Sequence, residues 1–112
     1  MTTPQWHEEA RTWQPYSRHK AFTHTTTGNT AETVFEVAGN AEYFQKISLI
    51  CETNDMYIEF DGDAVQSTTA GSLLVPAGEG YSDTNIYIGT KLSVIVATNG
   101  SNGRIRGIAW GR

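Results

Sequence analysis

The sequence predicts an all-β protein: an antiparallel β-sandwich, jelly-roll-like, preceded by an extended N-terminal arm. Three observations carry that expectation. From residue 32 onward short apolar runs alternate with polar residues at a period of two. The runs recur about every 8 to 12 residues with turn residues between them, the spacing of a sandwich or barrel. The composition is light in charge and rich in threonine, with 11 glycines, and it favours strands and turns over helices.

The chain divides near Gly28. Residues 1–30, the predicted arm, hold all three histidines (His7, His19, His24) and two of the three tryptophans, Trp6 and Trp13. They also hold Pro4, Pro15, Tyr16 and the run "THTTTGNT". Hydrophobic periodicity is poor here, and only "QWHEEARTW" offers a helical turn or two, with Pro4 placed to start it and Pro15 to end it. The arm counts three basic and two acidic residues, a net of +1, against five basic and ten acidic, a net of −5, in residues 31–112. Disordered tails seldom carry this many aromatics. The expectation is an arm ordered against a partner surface, with Trp6, Trp13 and Tyr16 as anchors. The alternative is an arm that folds back over its own domain's core.

Residues 31–112 form the predicted sandwich domain, with about seven or eight short antiparallel strands. "ETVFEV" sets Val34 against Phe35 and Val37. "FQKISLICE" places Phe44, Ile47, Leu49 and Cys51 close to a period of two, and "MYIEFD" alternates Met56, Ile58 and Phe60 with Tyr57, Glu59 and Asp61. "SLLV", "NIYI", "KLSVIVAT" and "RIRGIAW" follow, with Leu92, Val94 and Val96 on one face. No helical pattern of about 12 residues separates them, which removes βαβ units and a Rossmann-type nucleotide site. "TNDM" at 53–56 puts Asn54 and Asp55 where a type I′ turn needs φ > 0, and "TNGSNG" at 98–103 predicts a hairpin between the last two strands.

"VPAGEGYS" at 75–82 is the one glycine-rich loop that resembles a phosphate cradle. Such a loop must open a helix, whose amides and dipole hold the anion. Here "TNIYIG" follows with strand-like alternation, no Gly-Lys-Ser/Thr ending is present, and Glu79 and Asp83 would repel phosphate. Pro76, Gly78 and Gly80 read instead as a corner between strands.

Other chemistry is sparse. The net charge of −4 argues against nucleic acid as a partner. The single cysteine, Cys51, cannot form an internal disulfide. The N-terminus lacks the features of a signal peptide, and no apolar run approaches the ~20 residues of a membrane span. These features predict a soluble protein made in a cytoplasm. Asp61 and Asp63 flank Gly62 with Glu52 and Asp55 nearby, but the spacing is not that of a calcium loop. The histidines lack zinc-ligand spacing, and no nucleophile elbow is present. No catalytic, cofactor-binding or metal-ligating residue is therefore predicted, and no enzyme. Arg104, Arg106 and Arg112 form a small basic cluster, and the first two share a strand face suited to a salt-bridged subunit contact.

The course "YIEFDGDAVQSTTAGSLLVPAGEGYSDTNIYIGTKLSVIVATNGSNGRIRGIAWGR" resembles the small β-sandwich structural proteins of tailed bacteriophages. In those, a strand ending in an aromatic leads through a Thr/Ser-rich stretch and a "LLVPAGEGY"-like corner to a final hairpin. The likeness covers about residues 44–112 and implies a virion role. The role implied is a capsid decoration (cement) protein, a homotrimer on the major capsid protein, with a neck or tail component as the alternative. A carbohydrate-binding sandwich using Tyr81, Tyr87 and Trp110 is a separate class that the aromatics leave open.

Overall fold

The computed structural model describes residues 18–37, 43–67 and 71–111. They form eight strands and no helix: β1 (Arg18–Thr25), β2 (Glu32–Glu36), β3 (Lys46–Thr53), β4 (Met56–Phe60), β5 (Leu73–Val75), β6 (Gly80–Asp83), β7 (Lys91–Val96) and β8 (Arg104–Gly111). Sheet I has the order β1-β8-β3-β6 and sheet II the order β2-β7-β4-β5. Every ladder is antiparallel. The pairings β1 with β8, β2 with β7, β3 with β6 and β4 with β5 nest inside one another, and this nesting is the jelly-roll arrangement of a sandwich.

The period-two pattern acts as a sorting rule. Ile47, Leu49 and Cys51 of β3, with Ile105 and Ala109 of β8, point inward from sheet I. Met56 and Ile58 of β4, with Leu92, Val94 and Val96 of β7, meet them from sheet II. Phe22, Phe35 and Phe44 close the β1/β2 side, with ring centroids 5.2 and 5.6 Å apart. Strand β7 is buried on both faces. The segment after β4 covers its outer side, where the Ala64 amide donates to Ser93 Oγ (3.0 Å) and the Gln66 side chain donates to the Val96 carbonyl (2.8 Å).

Three expectations change. First, the sandwich begins at Arg18, inside the segment assigned to the arm, because β1 pairs along its whole length with β8. Its inward positions are Arg18, Lys20, Phe22 and His24, so one phenylalanine carries its entire apolar signal. Trp6, Trp13, Tyr16, the "QWHEEARTW" stretch and Arg112 lie outside the described residues.

Second, neither predicted tight turn is a hairpin. Strands β3 and β4, like β7 and β8, belong to opposite sheets, so 53–56 and 97–103 arch across the sandwich. Asn54 does take φ 58°, but Asp55 does not share it. Instead Asp55 accepts from the Ala77 amide at Oδ1 and from the Ala97 amide at its carbonyl. In the second arch Gly100 takes φ 88°, and Gly103 exchanges two bonds of 2.8 Å with Thr26. A Cβ at 103 would lie 2.6 Å from Met56 Sδ, so any larger residue there would have to displace the buried Met56 side chain.

Third, the strand after "VPAGEGYS" changes, while the stretch itself is the expected corner and carries the chain from sheet II to sheet I. Gly78 takes φ 82° and its amide donates to the Cys51 carbonyl. The strand that follows is 80–83 rather than "NIYI", of which Ile88 keeps a single bridge to Phe44.

The fully buried Leu92 contrasts with Leu74, 36% exposed on the edge strand β5. Leu92→Ala is expected to cost about 2–5 kcal/mol and Leu74→Ala under about 1 kcal/mol, read from urea midpoints. Deleting residues 1–30 removes β1 and its Phe22, so circular-dichroism melting of that fragment should lose the cooperative transition that a deletion of residues 1–17 retains.

Candidate functional site on the outer face of sheet I

Directly paired residues in adjacent strands share a face, so the ladders of sheet I give its outer surface row by row. One row is His19, Trp110 and Lys46; the next is Ala21, Ile108, Ser48 and Ser82; a third is Thr23, Arg106, Ile50 and Gly80. The middle row is built mostly from small side chains, and the rows on either side carry larger ones. The result is an open trough enclosing about 580 Å³, lined by Ala21, Thr23, Ser48, Ile50, Arg106 and Ile108.

Both walls are fixed. At one end Lys46 Nζ lies 4.6 Å from the centre of the Trp110 ring, a cation–π contact that holds both side chains down. At the other end Glu52 Oε1 accepts from Arg106 Nε at 2.7 Å and lies 3.4 Å from Arg104 Nε. The arginine pair predicted to make a subunit contact is thus engaged within the chain. Along the floor Ser48 Oγ and Ser82 Oγ share a hydrogen bond of 2.9 Å beside the half-buried Ile50 and Ile108. Gly107 sits beneath, where a Cβ would run into the Ser48 carbonyl oxygen, so β8 and β3 can approach closely only with glycine there.

The residues named from sequence are distributed elsewhere. Asp61, at φ 62°, takes the amides of Gly89, Thr90 and Lys91 onto its carboxylate, and Asp63 pairs with the Lys91 ammonium. Both are spent on one loop junction. Among the described residues no group of three or more His, Cys, Asp or Glu side chains converges. Tyr81 turns inward toward Phe60 (6.3 Å) and donates to Asp83, while Tyr87 stands 64% exposed, stacked on Tyr43 at 5.0 Å. With Trp110 bound to Lys46, the three aromatics of the carbohydrate reading do not share one platform.

Three groups are electrostatically displaced. Burial, then the charge of Asp55, pushes the Cys51 thiol up to about 11, so it stays protonated in the core. Burial and the hydrogen bond to Asp83 raise Tyr81. Glu32 is the opposite case. Burial alone would raise its pKa, yet the Thr27 amide, the His24 ring and the Gly28 amide outweigh burial and hold it below the ordinary 4.5. Its Oε1 lies 2.9 Å from His24 Nε2, and Oε2 accepts from the amides of Thr27 and Gly28 at 2.9 and 3.2 Å. This carboxylate fixes the crossing from β1 to β2.

The trough itself was not foreseen. Its residues are the polar-phase positions of "FQKISLICE" and "RIRGIAW" plus two from the predicted arm, and only the strand register brings them together. No protein-family model and no curated protein matches the chain.

The Glu32 clip gives a pH prediction with a definite sign. A carboxylate held below its unfolded pKa adds stability that is complete above about 4.5 and is lost as pH falls through the lowered folded value. Glu32→Gln should cost roughly 1–2 kcal/mol at pH 7. The gap between wild type and variant in thermal melts should shrink steadily as the buffer is taken below pH 4.5.

Proposed function

We propose that this protein is a structural component of a bacteriophage particle: a capsid decoration (cement) protein that binds the assembled head as a homotrimer and stabilises it. The observation offered in support of the reading is the open trough of about 580 Å³ on the outer face of sheet I, a recess that a segment of another protein chain could occupy. Five carboxylates (Asp55, Asp61, Asp63, Glu32 and Glu52) are engaged in holding loops, a lysine and arginines. The jelly-roll fold agrees with the resemblance to phage sandwich proteins. Trp6, Trp13 and Tyr16 serve in this reading as aromatic anchors to a partner, the residue types that dominate binding energy at interfaces. Repeated copies on one shell gain further from multivalency, because each contact raises the effective concentration of the next.

Heads lacking this protein provide the test. The purified chain should co-sediment with them, raise the temperature at which they release DNA, and appear in a cryo-EM map as density at symmetry-related positions on the major capsid protein. Density at the neck or tail instead would move the protein's address within the virion. Failure to bind any part of the particle would defeat the reading.

A further inference from the structure

The trough has an open side and a closed side. Its open side is β1, the edge of sheet I among the described residues, whose Ala21 and Thr23 line it. Its closed side is the His19–Trp110–Lys46 row, where Lys46 is clamped over the indole. Strand β1 starts at that closed side, with Arg18 paired to Gly111, and from there its backward direction points away from the trough.

We propose that the trough binds residues 1–17 of a neighbouring copy of this chain, linking copies head to tail into a closed ring. The inference rests on the homo-oligomer part of the reading above. The two surfaces match in chemistry. The floor offers Ala21, Ile50 and Ile108 to an apolar ring, and Thr23 and Ser48 offer hydroxyls to a peptide. Residues 1–17 supply Trp6, Trp13 and Tyr16 among Thr2, Thr3, Gln5 and Gln14. Seventeen residues reach at most about 61 Å when extended, ample to cross to an adjacent copy. Strand β1 read backward from Arg18 leads away from the trough, so the chain's own segment would have to reverse there to reach it, a reversal that a neighbour's segment does not need. The contact is heterologous, one patch meeting a different patch, so it generates a ring when the rotation closes.

Two full-length variants test this by complementation. Trp6→Ala/Trp13→Ala/Tyr16→Ala disables the segment, and Ser48→Trp fills the trough; Ala21→Arg is a second trough variant that must repeat the Ser48→Trp result. Both trough positions are on the outer face, so circular dichroism should show each variant folded. By analytical ultracentrifugation wild type should sediment as an oligomer and each variant alone as a monomer, with association weakened at least about tenfold. An equimolar mixture should then form a one-to-one dimer, because intact segments from one variant enter intact troughs of the other. A monomeric wild type, a variant that keeps the wild-type mass, or a mixture that stays monomeric would each overturn the proposal. No phage particle enters the measurement, so a ring that assembles through the trough yet ignores phage heads would reject the decoration reading and leave this one standing.

Discussion

Two sheets about 10 Å apart must share one apolar layer, and consecutive strands of this chain mostly belong to opposite sheets. That pairing of requirements governs the rest of the molecule. Of the seven links between strands, only β4 to β5 returns to the same sheet. Every other link must climb across the edge of the layer without leaving its amides and carbonyls unpaired. The interior is ordinary: Ile47, Met56, Ile58, Ile88, Leu92, Val94, Val96 and Ile105 lose essentially all contact with water. The demanding part is the set of crossings.

The crossings explain where the charged and polar residues went. Asp61 gathers three successive amides, Glu32 gathers two and a histidine, and Thr26 and Gly103 trade a pair of bonds between two arches. A carboxylate accepting several backbone amides forms charge-assisted bonds that are stronger than neutral ones. An acidic cluster that looks like a cation site in a linear sequence can therefore be loop hardware. "DGD" is such a case, with one aspartate capping a loop and the other tied to Lys91.

Strands were legible in the sequence because each needs only local alternation, and the runs from Phe44 to Phe60 and from Leu92 to Val96 show it plainly. Sheet membership was not legible. "TNGSNG" carries the same asparagine and glycine whether it turns a hairpin or bridges two sheets, since both tasks need φ > 0 at one position, here Gly100. Strand β1 was missed because Phe22 is its only core residue, the other inward positions being charged or imidazole groups. The trough was missed for a related reason. Ala21, Ser48 and Ile108 come from strands far apart in sequence, and a row across a sheet has no signature along the chain.

The β1–β8 ladder joins Arg18 to Gly111, the two ends of the described chain, and β8 also supplies the partner of β3. Sheet I consequently cannot assemble its middle until the last strand is present. Nearly the whole loop-closure entropy has to be met before that ladder returns any hydrogen bonds. Such non-local topologies fold on the millisecond-to-second scale and expose unpaired strand edges while they wait. Lys20 on the edge strand then has a use during that interval: a charge in the middle of β1 discourages two unfinished chains from pairing edge to edge.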